Sequence, residues 1–158
     1  MEFFEFVWVY ILVFLLAAVP FVEAIILAPI AIFGGLSPLP VFLLAVSGNL
    51  LTVFFVIIFI ERIKQWRKKK DNEKRKARAQ RIWQKYGVIG LTIIGPYFIG
   101  SHLSAFLSLL FGGTKKQVTI WITISVVGWT LVFTIIAVLG FDFMKIEHPF
   151  LEQIFGAQ

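Results

Sequence analysis

Charge is almost absent from two long stretches of this sequence. Phe6 to Ile60 carries one charged residue, Glu23, and Tyr86 to Phe141 carries only Lys115 and Lys116. Between the two lie twelve of the fifteen Lys and Arg residues, from Arg62 to Lys85. A domain folding in water spreads charge over its surface, at about 25% of its residues. Here the charged share is 15%, and it is segregated. Two apolar blocks joined by a basic connector imply an all-α integral membrane protein, because a helix satisfies its own backbone in lipid. At 158 residues the chain has room for one such domain.

A spanning helix needs about 20 apolar residues. The first block holds 55 residues, so two crossings leave a remainder too short for a third. That remainder gathers Pro20, Pro29, Gly34, Gly35, Pro38 and Pro40, residues that interrupt or end helices. The reading is a spanning helix over 4–20, a re-entrant hairpin over 22–37 broken at Pro29 and Gly34-Gly35, and a spanning helix over 39–62. The second block divides similarly. Residues 88–112 form a re-entrant hairpin broken at Gly95-Pro96 and Gly100, and 118–140 form a third spanning helix. Broken backbone at membrane depth must be shielded by protein or line a wet cavity.

The blocks resemble each other. Each has a proline-broken segment, a Gly-Gly pair (Gly34-Gly35, Gly112-Gly113) and a spanning helix with a small-residue patch, Ser47-Gly48-Asn49 or Ser125 to Gly128. Gly48 and Gly128 are read as close-packing positions. Lys and Arg favour the cytoplasmic side, which places the N-terminus and the 63–85 connector on the cytoplasmic side of the cell membrane. The first hairpin then enters from outside, the second from inside, and the C-terminus lies outside. The two units form an inverted repeat, and paired interruptions of this kind point to a transport site. A competing count makes 88–112 a full crossing and moves Lys115 and Lys116 outside.

Several function classes drop out. The chain has no cysteine, hence no thiol nucleophile and no Cys-based metal centre. No G-x-S-x-G, Walker A or H-E-x-x-H motif is present, so neither an enzyme nor a bound cofactor or metal is expected. The basic connector lies against membrane segments, which makes anionic lipid headgroups its partner rather than nucleic acid. It also serves as a plain topology signal. The tail, 141–158, reads as an interfacial segment with Phe150, Leu151, Ile154 and Phe155 on one face. The N-terminus lacks the positive region of a signal peptide, so the first apolar stretch is expected to be retained.

What remains is a short set of polar groups inside apolar blocks. A carboxylate at the bilayer centre costs about 2.5–3.5 kcal/mol, which makes Glu23 a candidate proton carrier unless it sits at the outer interface. His102 titrates near neutral pH when unperturbed and is the second candidate for proton coupling. Asn49, Ser101 and Ser104 are candidate substrate-binding residues; Ser47, Thr52 and Ser108 lie on the same segments, where hydroxyls also serve helix packing.

Pro20-Phe-Val-Glu23-Ala-Ile-Ile-Leu-Ala-Pro29 with Gly48-Asn49, and Lys85-Tyr86-Gly87 leading to Gly95-Pro96-Tyr-Phe-Ile-Gly100-Ser101, resemble the small multidrug export protein family. That family is similar in turn to the DedA (VTT-domain) membrane proteins. The resemblance covers roughly Ile11 to Gly140. It departs at Ile25, where the family commonly has Arg, and at Pro96 to Ser101, where it often reads Pro-x-Pro-Gly-Thr-Gly. It implies two facing re-entrant hairpins and a transport role, which in DedA relatives concerns lipid-phosphate carriers and proton-motive-force homeostasis. The combined expectation is a small secondary transporter or lipid flippase, proton-coupled and homo-oligomeric, that moves an amphipathic substrate. The alternative is a membrane scaffold that binds anionic lipid or a partner through its connector.

Overall fold

The computed structural model describes residues 3–20, 22–67 and 87–147, and these form six α-helices and no strand. Helix α1 (Phe3–Ala17) ends ahead of Pro20, and α2 (Ala24–Phe33) is short. Helix α3 (Pro38–Arg67) opens with proline at its first helical position, where the missing N–H costs nothing. After the connector come α4 (Val88–Phe98), α5 (Ser101–Leu110) and α6 (Lys115–Glu147). Thr114 caps α6 by accepting the Gln117 N–H at 3.3 Å. The connector beyond Arg67 and the tail beyond Glu147 lie outside the described residues.

The two halves share one backbone register. Leu36 N–H donates to the Ala31 carbonyl and Gly35 N–H to that of Ile32; Gly113 repeats the first bond with Ser108, and Gly112 the second with Leu109. This is a helix-ending motif that needs a left-handed residue, supplied by Gly35 (φ 89°) and Gly112 (φ 102°). The Leu27 to Glu23 bond recurs as Ser104 to Gly100, and Val41 to Ser37 as Val118 to Thr114. Every one of these bonds reappears 77 residues later. The register differs by one residue from the pairing of the two Gly-Gly sequences, and it sets Asn49 opposite Val126.

Packing orients the halves. One apolar cluster joins Val41 and Ala45, early in α3, to Ala137, late in α6, with Ala24, Ala28 and Ile32 of α2 between them. The other joins Val53, Ile57 and Ile60, late in α3, to Val118 and Ile122, early in α6, with Ala105 and Leu109 of α5. Equivalent helices therefore run antiparallel, and each short helix leans on the other half's long one. Buried alanines recur at these contacts because, in lipid, helices associate by close backbone approach rather than by a hydrophobic drive.

Two segments, Pro38–Ile60 and Lys115–Gly140, are long and apolar enough to cross a membrane. The third crossing expected over 4–20 is a 15-residue helix, about 22 Å long against a hydrocarbon core of about 30 Å. By register, α1 and α2 together correspond to α4 and α5. The segment expected to form a hairpin by itself, 22–37, is thus one helix of a pair. Helix α6 continues past Gly140 to Glu147, into what was expected to be the interfacial tail.

The expected breaks also shift. Pro29 lies inside α2, and Gly95 and Pro96 lie inside α4. Proline's φ suits a helix, and the loss is one hydrogen bond per proline. Next to Pro96 the Ile93 carbonyl accepts Ser125 Oγ at 2.7 Å and Trp129 Nε1 at 2.8 Å, both from α6. Gly34, Gly35 and Gly100 do lie between helices, as expected; among the described residues the chain is also non-helical at 18–20, 22–23 and 111–114.

Candidate functional site: a buried carboxylate shared by both halves

Glu23 is the N-cap of α2, yet its side chain makes no cap bond to that helix. It crosses instead to the other half. Its Oε1 accepts the backbone N–H of Ser101, the first residue of α5, at 2.8 Å. A helix N-terminus presents unpaired amides and partial positive charge, and a carboxylate suits both. Gly100 makes the approach possible. Its φ of 86° is closed to most side chains, and a Cβ there would stand 2.9 Å from Glu23 Oε1.

Three further side chains close the network. Ser101 Oγ lies 2.7 Å from Glu23 Oε2 and 3.0 Å from Asn49 Oδ1. Asn49 Nδ2 donates to Glu23 Oε2 at 3.2 Å. His102 Nδ1 is 3.4 Å from Glu23 Oε1, and its Nε2 is 2.9 Å from Thr52 Oγ1. Thr52 in turn donates to the Asn49 carbonyl at 3.0 Å. Glu23 is 7% exposed, His102 6%, and Asn49 and Ser101 fully buried. An acid removed this far from water needs such compensation, since burial penalises an unpaired charge by several kcal/mol.

Four of the sequence candidates, Glu23, His102, Asn49 and Ser101, therefore meet at one point. Ser104 does not join them. Its hydroxyl donates to the Gly100 carbonyl at 2.7 Å and packs against Gly95, tying α5 to α4. Ser108 is buried with no hydrogen-bond partner among the described residues, and Ser47 faces outward. Thr52, open to either a site or a packing role from sequence, belongs to the cluster. Asn49 lies 11 residues into α3, which puts the cluster about 17 Å from the start of that apolar helix, near its middle.

A pocket of about 200 Å³ opens beside the carboxylate. Glu23 and His102 form its polar wall, and Ile26, Tyr97, Phe98 and Leu103 its apolar one. Tyr97 stacks on Trp129 and Phe133 at centroid distances of 5.2 and 5.8 Å, and Phe98 meets it edge-on at 4.9 Å. The sequence reading missed these rings. Their one signal was position: Tyr97-Phe98 lies between Pro96 and Gly100, inside the interruption. Among the described residues no group of three or more His, Asp or Glu side chains is placed to hold a metal ion.

The fold and the site define a class: small helical proteins with long apolar helices, whose interrupted segments turn polar side chains inward. The particular family follows from sequence. The family model described as "Putative small multi-drug export protein" matches residues 23–132, a span that begins at the buried carboxylate and includes the whole cluster. The chain belongs to this family. Membership and the two long apolar helices together support a membrane location and a transport role at a coarse level. No curated protein and no solved structure matches the chain.

Proposed function

We propose that this protein is a secondary exporter of amphipathic molecules in which Glu23 exchanges protons with the pocket. The observation that carries this reading is that one buried carboxylate is held jointly by both halves of the fold. Any change in its charge alters the contact between halves, which is what coupling a ligand to a conformational change requires.

Hydrogen counting supports the proton's part. The Ser101 hydroxyl has one hydrogen and faces Glu23 Oε2, Asn49 Oδ1 and, at 3.4 Å, His102 Nδ1, three acceptors when that nitrogen is unprotonated. With Thr52 turned to the Asn49 carbonyl, His102 Nε2 donates to Thr52, and its Nδ1 then faces Glu23 Oε1. An ionised Glu23 and a neutral His102 leave that last contact without a hydrogen. One added proton, on either group, completes it. The cluster is thus built to hold a proton and to release one. The interrupted segments then act as short hairpins that enter from opposite faces and meet at mid-depth.

The test is reconstitution into vesicles with a trapped pH dye. Adding an amphipathic substrate such as ethidium to the wild-type protein should move protons against it. Glu23→Gln keeps the side chain's shape and should abolish that movement. Proton movement of wild-type size in Glu23→Gln would refute the assignment.

A further inference from the structure

The geometry points to an organic cation as the ligand of the pocket beside Glu23, with an alkyl or aryl remainder extending toward lipid. This rests on the transport reading for its purpose but not for its chemistry. The anionic alternative loses one of its natural holders. The first amide of α5, which would receive a phosphate or carboxylate headgroup, already donates to Glu23 at 2.8 Å. A second anion would have to displace the protein's own acid or lie against it.

What the wall offers instead suits positive charge. Among the described residues no Lys or Arg lines the pocket, and Glu23 is its one acid. Tyr97 and Phe98 add aromatic rings to the lining, and a cation placed over a ring face is attracted by the ring quadrupole. The Tyr97 ring is held in place by its stack on Trp129 and Phe133, so little is lost in ordering it. Size limits the ligand further. At about 30 Å³ per water a pocket of about 200 Å³ takes a compact headgroup, whereas pockets that bury whole drug-sized ligands run to about 300–1,000 Å³. The remainder continues over Ile26 (62% exposed) and Phe98 (73% exposed), which give it an apolar path outward.

The same carboxylate then serves proton and cation in turn, so cation affinity should fall as pH is lowered. The groups facing Glu23 are Asn49 of α3, Ser101 and His102 of α5, and, across the pocket, Tyr97 of α4. Of these His102 is the one that a proton turns into a cation. A proton on His102 repels the cation, and a proton on Glu23 removes its counter-charge, so both act in the same direction.

The experiment compares two ligands of equal tail and opposite charge, octyltrimethylammonium and octyl sulfate, binding to the full chain in lipid nanodiscs. Trp129, stacked on Tyr97, supplies the fluorescence signal. The wild-type protein should bind the cation at least about tenfold more tightly than the anion, one step of 1.4 kcal/mol. Glu23→Gln should erase that preference. Tyr97→Leu keeps the acid and should weaken the cation about fivefold, with the signal read from competition against the fluorescent cation ethidium. Equal binding of both ligands, or tighter binding of octyl sulfate, would overturn the inference. A cation preference with no proton movement in vesicles would leave the pocket assignment standing and refute the transport reading alone.

Discussion

Gly100 is the residue on which the geometry of the site turns. With φ 86° and ψ 152° it occupies a backbone region open essentially to glycine, and the acid's oxygen fills the space where a Cβ would go. Gly100→Ala should therefore destabilise the protein by about 2 kcal/mol or more, whereas Gly90→Ala, in open helical space, should be neutral or slightly stabilising. Thermal unfolding of both variants in detergent checks this, and equal midpoints would refute it. Legibility at this scale followed contrast. Glu23, Asn49 and His102 stood out because each is rare in an apolar block and expensive to leave unpaired there. Thr52 did not, because a helical threonine ordinarily satisfies itself on its own helix, as it also does here. Phe98 was hidden by abundance, in a chain with eighteen phenylalanines, and Tyr97 by its place beside it.

Among the elements, helix contact depends on where glycine sits rather than on how often it occurs. Gly48 and Gly128 were both read as close-packing positions, and the structure separates them. A Cβ on Gly48 would collide with the backbone carbonyl of Phe14 in α1, which cannot swing aside as a side chain can. One on Gly128 would meet nothing within 4 Å, because that face of α6 is exposed. Gly48→Ala should cost about 1–3 kcal/mol through overpacking, while Gly128→Ala should be tolerated. Comparing the two unfolding midpoints decides it: a tolerated Gly48→Ala would mean that α1 is free to shift. Helix existence was legible from apolar runs, and the breaks only approximately. Proline marks a lost hydrogen bond, yet the helix runs on through Pro96, and Ser125 and Trp129 tie the Ile93 carbonyl just before it to another helix, a contact that no local pattern announces.

At the scale of the whole molecule, the two halves share a register, and their long helices run antiparallel. That relation bears on the two ways of counting crossings. If 88–112 spanned the membrane fully, α3 and α6 would both run from outside to inside, parallel to each other. The observed packing is the reverse. It agrees with α4 and α5, of 11 and 10 residues and about 15–17 Å each, entering and returning on one side. The turns that open the two long helices, at Ser37 and Thr114, then face opposite sides of the bilayer. Both residues are exposed, and the chain has no native cysteine to interfere. Single cysteines at these positions should react with a membrane-impermeant maleimide from opposite sides, Ser37→Cys from outside and Thr114→Cys from within. The side assignment rests on the basic connector, since Lys and Arg are retained in the cytoplasm. Labelling of both from one side would mean that the halves are not inverted across the membrane. The carboxylate between them would then have no route to alternate exposure, and a static binding role would replace transport.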